Sequence, residues 1–453
     1  MTNKLNLLIL FLLLICQFNS KAQPEFFSVN EINGKWHIIN PEGKIFHMRG
    51  MLHFGDGTHM PWNLKEKYGT VENWRKSVKQ QHIDMGFTFL PPSIGPSAID
   101  PTTIADKPKN RQNLIIRTPE WPAKHYAELD YPFTAFLEVP QQYMAGNDLP
   151  DVWGDEFINA VDKRCLEFVA PLKNNRNLIG YHFTQNPPWN MDASSADLWI
   201  KSCVKPGSAG VKEWIKLMKQ IYGTIERWRQ TYGTPIKTWD DIENMTDPLR
   251  GYIFGNQLRK DKEAFLMRIC EQWYKVYHAA IRKYDPNHLI LGDRNTLHLQ
   301  DAPRAWALFI MSKYVDVLSV NVMGKPSIVY GVLEEVTRNW NGPIFLSDTG
   351  AGIYTSEPPK STFQAKDLAE FEEVYSGLVQ MSIEHPQIVG FGWCGYYETP
   401  HPGGRAGLID VKTDEPLPNL LPVVKKWNDK MEEFVHNLKL NNMDSCVDEC
   451  ICK

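Results

Sequence analysis

Polar side chains that could move a proton or hold a carboxylate follow several short apolar runs of this sequence. His53 ends one run, the amides Gln185 and Asn186 end another, and Arg294 and Asp348 end two more. An imidazole gives or takes a proton near neutral pH. A guanidinium and amide groups can bind a carboxylate through hydrogen bonds. The set therefore suggests proton transfer on a substrate that carries its own carboxylate.

Alternating elements must position these side chains. Short apolar runs cover 46–53, 85–90, 133–139, 178–184, 288–292, 315–322, 343–347 and 388–393, and amphipathic segments include 211–232, 262–284 and 368–384. Strands that alternate with helices predict an α/β protein with a parallel sheet. We expect a single (β/α)8 TIM barrel whose polar groups meet at the carboxyl ends of its strands. The pattern alone leaves a doubly wound open sheet as the alternative.

The amino terminus has the features of an export signal. Lys4 precedes an apolar stretch over 5–15, and small residues at 20 and 22 form a cleavage signal. The sequence predicts a signal peptide over 1–22, a barrel with an N-terminal hairpin over 23–440, and a cysteine-containing tail over 441–453. We expect an exported, periplasmic protein, with secretion or a cell-surface position as alternatives. A lipoprotein signal that ends at Cys16 is a weaker interpretation.

Composition excludes several classes of partner. The formal net charge is −4, so the chain lacks the excess of basic residues that is typical of proteins that bind nucleic acid. After the signal, no apolar stretch is long enough for a membrane span. No metal-binding or phosphate-binding motif is present, and we expect no metal and no cofactor. For the three cysteines of the tail, a disulfide or surface thiols are favoured over a metal site.

The segment 177–189 carries the most specific similarity. Its sequence, Asn-Leu-Ile-Gly-Tyr-His-Phe-Thr-Gln-Asn-Pro-Pro-Trp, resembles strand four of the agarase-like glycoside hydrolases of clan A. Segments 232–240, 285–294, 315–321 and 390–393 resemble later parts of the same family in the same order. The resemblance implies a (β/α)8 barrel. It also implies a catalytic acid/base glutamate at the position of Asn186 and a nucleophilic glutamate at the position of Asp348.

The departures from the family at these two positions argue against hydrolysis. An amide such as Asn186 has no proton to give as a general acid. The side chain of Asp348 is one methylene shorter than glutamate, whereas retaining hydrolysis needs two carboxyl groups about 5–5.5 Å apart. We therefore expect little or no retaining glycosidase activity.

An amide in place of a carboxylate would suit a substrate that is itself acidic. We expect removal of water from the non-reducing-terminal uronic acid of an acidic, ulvan-type oligosaccharide, which gives a 4,5-unsaturated uronate. This is the reaction of the oligosaccharide dehydratases of marine ulvan-degrading bacteria, to which we expect the chain to be similar. The expected partner is thus an acidic oligosaccharide.

Catalytic roles are assigned to four residues. Asn186 faces the substrate carboxylate, while His53 and Tyr397 serve as base and acid in an order that the sequence leaves open. Asp348 orients the base or holds a sugar hydroxyl. Period-two alternation predicts that Asp348 points into the barrel together with Ile344 and Leu346.

Substrate binding is assigned to Gln185, Arg294, Trp189 and Trp393. Arg294 would clamp the carboxylate, and its alternative role is a salt bridge to a carboxylate of the barrel. Aromatic rings such as Trp189 and Trp393 can bind sugars, although most large aromatic residues lie in protein cores.

Two other functions stay open at this point. One is an exo-acting glycoside hydrolase of the agarase or β-galactosidase type, in which Glu243 or Glu398 supplies the acid. The other is a sugar-binding barrel without catalytic activity.

Overall fold

The structure is a computed structural model of the full chain. It describes residues 25–54, 61–92, 121, 123–137, 139, 149–185, 187, 189, 193–245, 256–296, 305–350, 352–353, 364–398 and 407–451. The predicted signal peptide, over 1–22, and Asn186 lie outside the described residues.

Strands and short or long helices alternate along the chain. The strands are β1 (Ser28–Ile32), β2 (Lys35–Ile39), β3 (Ile45–Phe46), β4 (Met48–Met51), β5 (Phe133–Phe136), β6 (Leu178–Gln185), β7 (Leu289–Thr296), β8 (Leu318–Met323), β9 (Ile344–Gly350), β10 (Gly352–Ile353), β11 (Gln364–Ala365), β12 (Ile388–Trp393), β13 (Tyr397–Glu398), β14 (Ile409–Asp410) and β15 (Glu415–Pro416).

The α-helices are α1 (Leu64–Lys67), α2 (Val71–Asp84), α3 (Ala123–Leu129), α4 (Asp155–Phe168), α5 (Ala193–Cys203), α6 (Ala209–Tyr222), α7 (Ile225–Tyr232), α8 (Trp239–Glu243), α9 (Asn256–Tyr284), α10 (Ala305–Met311), α11 (Pro326–Thr337), α12 (Leu368–Glu384) and α13 (Leu421–Ile451).

Seven strands form one curled sheet in the order β4-β12-β9-β8-β7-β6-β5. Every neighbouring pair in this sheet is parallel. The α/β class is therefore confirmed, and each of these strands overlaps an apolar run predicted from the sequence. Because the strands are parallel, their carboxyl ends lie along the same edge of the sheet.

The segment that follows α2 links the two outer strands of the sheet. The Thr88 N–H donates to the carbonyl of Arg49 on β4 over 2.8 Å, and the Thr134 N–H on β5 donates to the carbonyl of Leu90 over 3.0 Å. The run predicted as a strand over 85–90 thus makes hydrogen bonds to both edges of the sheet, but it contributes only an isolated bridge and no regular strand.

A small antiparallel sheet covers the amino end of the large one. Strands β1, β2 and β3 form this sheet, and the predicted N-terminal hairpin is present. Phe27 and Ile38 pack with Met48, Leu289 and Phe345 in a core on the inner face of the large sheet. The hairpin therefore packs against the amino end of the inner core.

Helices pack against the outer face of the sheet. An inward stripe of α9 includes Ile269, Trp273 and Tyr277, which are fully buried and four residues apart. This spacing keeps the three side chains on one helix face. Within the described residues, no helix is both long enough and apolar enough to cross a membrane.

The last helix continues through most of the predicted tail. Helix α13 begins at Leu421 and ends at Ile451, whereas the sequence predicts a separate tail over 441–453. The side chains of that part lie outside the described residues, so the pairing of its cysteines stays a prediction.

Replacement of Thr88 tests the link through the segment after α2. Its hydroxyl donates to the carbonyl of His47 over 2.8 Å and accepts the Arg49 N–H over 2.9 Å. Thr88→Val leaves both groups without this partner and should lower the free energy of unfolding by about 1–2 kcal/mol. The measurement is urea unfolding followed by tryptophan fluorescence.

The matched control is Thr134→Val. The Thr134 side chain is fully buried, and its hydroxyl has no hydrogen-bond partner among the described residues. This isosteric change should leave stability unchanged or raise it slightly. Equal losses for the two variants would contradict a specific link at Thr88.

Candidate functional site

Four side chains converge at the carboxyl edge of the sheet. His53 follows β4, Arg294 lies in β7, Asp348 in β9, and Cys394 follows β12 directly. We call these residues the strand-end cluster. His53, Arg294 and Asp348 were predicted as site residues, and the structure brings them together with a cysteine that the sequence interpretation did not include.

Short distances connect the members of the cluster. The Nε2 atom of His53 is 3.1 Å from Sγ of Cys394 and 3.8 Å from Oδ2 of Asp348. The same carboxylate oxygen accepts a hydrogen bond from Nη2 of Arg294 over 2.8 Å. His53, Arg294 and Asp348 are buried, and Cys394 is half-buried. The imidazole thus contacts a thiol and lies beside a carboxylate whose charge a guanidinium balances.

His53 has an unusual backbone conformation for a residue with a side chain. Its φ angle is +66°, in the left-handed region, which His enters more readily than bulky or β-branched residues do. Hydrogen bonds hold the preceding residue on both sides: the Leu52 N–H donates to the carbonyl of Trp393, and the Leu52 carbonyl accepts the Tyr396 N–H. The loop after β12 therefore fixes where the imidazole lies.

Asp348 points to the inner face because β9 contains an irregularity. Asn321 of β8 pairs with Asp348 although the preceding residue, Val320, pairs with Leu346, so Ser347 is an extra residue. Ile344 and Leu346 pack in the outer core, and Phe345 packs in the inner one. The predicted inward direction of Asp348 is retained, but its predicted companions Ile344 and Leu346 face the helices.

Arg294 is held from its backbone as well as from its guanidinium. Nδ2 of Asn321 donates to the Arg294 carbonyl over 3.3 Å, and the hydroxyl of Ser347 donates to Oδ1 of Asn321 over 2.7 Å. The Arg294 side chain is fully buried and forms the salt bridge with Asp348 that was the alternative to a substrate clamp. Its positive charge is therefore fixed in position before any ligand binds.

His182 lies deeper on the inner face than the strand-end cluster. Its ring contacts the rings of Phe136 and Phe345, and its Nδ1 is 3.4 Å from the hydroxyl of Ser319. Burial lowers the pKa of His182 well below its usual value, and the charge of Arg294 lowers it further. The imidazole is therefore neutral and fills the interior of the sheet.

The end of β6 is fixed by a carboxyl group that the sequence interpretation missed. Oδ1 of Asp293 accepts hydrogen bonds from the N–H and the hydroxyl of Thr184 over 2.8 and 2.7 Å. The next residue, Gln185, ends β6 opposite Arg294. The side chain of Gln185 and the whole of Asn186 lie outside the described residues, so their roles stay predictions. Asp293 anchors the backbone that leads to both.

Tyr397 lies in a separate buried network. Its hydroxyl donates to Oδ1 of Asp414 over 2.5 Å and accepts the indole N–H of Trp74 over 2.9 Å. Burial raises the pKa of Tyr397 well above its usual value, and Tyr396 and Asp414 raise it further. This placement favours a structural role for Tyr397 over the predicted role in proton transfer.

The two tryptophans predicted to bind sugar are both buried. Trp189 stacks on Trp199 with ring centroids 4.5 Å apart and is 1% exposed. Trp393 is fully buried and packs against Phe371 and Tyr375 of α12. These placements favour packing over the predicted sugar contacts, because a sugar needs an exposed ring face.

Comparisons with known proteins agree on the scaffold. No protein-family model matches the chain. Beta-agarase B of Vibrio sp. (strain JT0107) is 22% identical in an alignment 413 residues long. The alignment covers 81% of this chain and 38% of that protein. The chain thus spans well under half the length of this relative.

Solved structures of agarases have the same fold. An exo-beta-agarase has a TM-score of 0.68 at 19% identity, with 92% of this chain and 66% of that chain covered. The agarase AgWH50C has a TM-score of 0.66 at 18% identity, with 91% and 66% covered. The chain is therefore related to agarase-like glycoside hydrolases and shares their fold.

Protonation of Asp293 should make stability depend on pH. Burial raises the pKa of its carboxyl to about 7, against the hydrogen bonds from Thr184, which lower it. Between about pH 4 and 7 the folded chain therefore keeps a proton on Asp293 that the unfolded chain loses. The contribution of the protonated carboxyl group to the free energy of unfolding is full below about pH 4 and is lost as the pH rises to about 7. Asp293→Asn should flatten this decline, as measured by urea unfolding across that range.

The control for this prediction is Asp240→Asn, because Asp240 is exposed. This variant should keep the pH dependence of the wild-type chain. An unchanged slope in Asp293→Asn would show that the Asp293 carboxyl does not titrate in this range.

Proposed function

We propose that the protein is a carbohydrate-active lyase, an oligosaccharide dehydratase. It would remove water from the non-reducing-terminal uronic acid of an acidic, ulvan-type oligosaccharide and leave a 4,5-unsaturated uronate. The observation that carries the proposal is the strand-end cluster. It sets an imidazole beside an Arg-bound carboxylate in a scaffold whose acid/base position is Asn186. The proposal includes a complete (β/α)8 barrel with segment 85–90 as its second strand, and export directed by residues 1–22.

The reaction needs the substrate carboxylate to be neutralised. The C5 proton of a uronate becomes acidic only when hydrogen bonds or a positive charge stabilise the carboxylate that is conjugated with the developing carbanion. Gln185 and Asn186 supply amide donors for this. The charge of the fully buried Arg294 is already balanced by Asp348, so the two amides carry this role. The amide at position 186 also avoids the repulsion that a glutamate there would exert on the substrate.

Proton transfer is assigned to His53. The imidazole takes the C5 proton, the electron pair of that bond forms the C4=C5 double bond, and the C4–O bond breaks. The hydroxyl group at C4 leaves as water when the His53 imidazolium returns the proton to its oxygen, so the reaction balances without an oxidant or other co-reactant. Asp348 lies 3.8 Å from Nε2 of His53 and would stabilise the imidazolium that forms.

The geometry fits this reaction better than retaining hydrolysis. A retaining glycosidase uses one carboxylate as nucleophile and a second carboxyl group as acid. The Asp348 carboxylate already accepts a hydrogen bond from Arg294 over 2.8 Å, which lowers its nucleophilicity. The resemblance to the family puts the amide of Asn186 at the position of the catalytic acid.

Similarity to agarases favours the second candidate, an exo-acting glycoside hydrolase. That function needs another acid, and Glu243 and Glu398 were the predicted sources. Glu243 lies on the surface helix α8 with its carboxylate 3.6 Å from Nζ of Lys212. The side chain of Glu398 lies outside the described residues. Hydrolysis would therefore need Glu398, or an acidic residue from another part of the chain, as the general acid.

One experiment separates the two reactions. Saturated oligosaccharides with a terminal uronate should gain near-ultraviolet absorbance and lose the mass of one water per chain, without becoming shorter. The same preparation should release no new reducing ends from neutral agarose fragments. Chain shortening would establish the hydrolase, and binding without turnover would establish a sugar-binding barrel.

Asn186→Asp tests the amide at the acid/base position. A carboxylate there should repel the substrate carboxylate and lower kcat/KM for elimination at least tenfold, or about 1.4 kcal/mol of barrier. Asn244→Asp is the matched control, because Asn244 is exposed at the end of α8. Equal rates for both variants and the wild-type chain would remove Asn186 from the mechanism.

His53→Asn and Tyr397→Phe test the assignment of the base. Asn tolerates the left-handed backbone of His53 but has no titratable nitrogen, so kcat should fall by about 10²–10⁴-fold. Tyr397→Phe should keep kcat within about threefold, because the hydroxyl already serves Asp414 and Trp74. A larger loss in Tyr397→Phe, measured well below its melting temperature, would return proton transfer to Tyr397.

A further inference from the structure

Three members of the strand-end cluster are potential metal ligands of different chemical types. His53, Asp348 and Cys394 each direct one ligand atom to a common region, and these atoms lie within 4.8 Å of one another. In the part of the chain that the structure describes, this is the one group of three such residues that does so. Each residue comes from the end of a different strand, so the group is an outcome of the fold and not of local sequence.

The donor set favours a thiophilic divalent cation. Imidazole nitrogen, thiolate sulfur and carboxylate oxygen are together typical of zinc, and catalytic or inhibitory zinc sites often have three protein ligands and one open position. Magnesium and calcium prefer oxygen ligands alone. The proposal therefore concerns zinc and cations of similar softness.

The present distances are close to those that a zinc ion requires. Bonds of about 2.0–2.1 Å to nitrogen or oxygen and about 2.3 Å to sulfur, in a tetrahedral site, place nitrogen and sulfur about 3.6 Å apart and nitrogen and oxygen about 3.4 Å apart. The corresponding separations here are 3.1 and 3.8 Å. Shifts of about 0.5 Å would bring these two pairs to the required separations, and the sulfur and the oxygen lie within 4.8 Å of each other. Half-buried Cys394 lies just beyond the end of β12, where the chain leaves the sheet.

Arg294 is compatible with a cation at this position. Oδ2 of Asp348, the oxygen that lies beside His53, also accepts the hydrogen bond from Arg294. A carboxylate oxygen has more than one lone pair, so it can bind a metal and still accept this bond, and such outer partners orient metal ligands in many sites. With Cys394 as thiolate, Asp348 ionised and Arg294 charged, the group carries a charge of about −1 before a divalent cation binds. Electrostatic attraction therefore favours the cation.

The other thiols in the described residues lack these features. Cys165, Cys203 and Cys270 are buried in the outer core. Burial raises the pKa of Cys165 to about 12, and it raises the pKa values of Cys203 and Cys270 as well. Since the thiolate is the metal ligand, these three cysteines are poor competitors for a cation.

We propose that His53, Asp348 and Cys394 form a binding site for zinc or a similar thiophilic divalent cation, and that the bound cation blocks proton transfer by His53. The binding goes beyond the proposed function and does not depend on it. The block rests on the proposed function, because an imidazole whose Nε2 binds a metal cannot take a proton there. A protein with this site would be inhibited by zinc and reactivated by a chelator.

Cobalt(II) titration of the full-length chain tests the binding. Cobalt replaces zinc in such sites, and a cobalt–thiolate bond gives a near-ultraviolet charge-transfer band that oxygen or nitrogen ligands do not give. We expect one equivalent of cobalt to produce this band and one equivalent of zinc to remove it. Absence of the band would overturn the proposal.

Variants assign the band to the cluster. Cys394→Ala should abolish it, and His53→Asn and Asp348→Asn should each weaken cobalt binding by more than about 100-fold, beyond the effect typical of an outer partner. A chain with alanine at 446, 450 and 452 is the control and should keep the band at the same strength. A band that persists in Cys394→Ala, or disappears in the control, would overturn the assignment. Circular dichroism shows that each variant is folded.

The inhibition is measured separately with a uronate-ended oligosaccharide. Stoichiometric zinc should lower the rate of elimination at least tenfold, and EDTA should restore it. Full activity of the zinc-bound enzyme would overturn the proposed inhibition by zinc but not the proposed zinc site. If the chain eliminates no water from any substrate, the proposed function fails while the cobalt titration still decides the metal site.

Discussion

The ion pair between Arg294 and Asp348 is the interaction on which the arrangement of the strand ends depends. It connects β7 to β9 across the intervening β8, with a distance of 2.8 Å between Nη2 and Oδ2. The Arg294 side chain is fully buried, so loss of Asp348 would leave an uncompensated charge in the interior, at a cost of about 3–5 kcal/mol. Asn321 of β8 completes the connection, because its amide accepts from Ser347 and donates to the Arg294 carbonyl. Three adjacent strands are thus tied together at one level.

This arrangement also determines the electrostatics of the site. The side chain of Asp348 is 10% exposed, and Arg294 balances its charge. The carboxylate would also attract a positive charge on another neighbouring side chain. His53 is that neighbour, and its position is set by the loop after β12 through the backbone of Leu52. The imidazole is thus buried beside this ion pair, in a place that water reaches poorly.

The sequence predicts most of the sheet, and it predicts the direction of some side chains incorrectly. Apolar runs locate the strands because buried parallel strands consist of short, nearly continuous apolar segments. Period-two alternation fails for Ile344 and Leu346, which face the helices while Asp348 faces inward, since the extra residue Ser347 in β9 shifts the register by one. In β12 the extra residue lies between Ile388 and Gly390, and beyond it Phe391 and Trp393 both pack in the outer core. Irregularities of this kind depend on neighbouring strands and leave no signature in a single strand.

Cys394 shows a second limit of sequence reasoning. A single cysteine has no motif, and its contact with His53 arises because β4 and β12 are neighbours in the sheet although they are far apart in the chain. The available signal was positional: Cys394 follows the last residue of a predicted strand, as His53 ends another. The same criterion selected Tyr397, whose hydroxyl is bound in the network of Trp74 and Asp414. Position at a strand end therefore identifies residues that can reach the site, and only the contacts between strands decide which of them do.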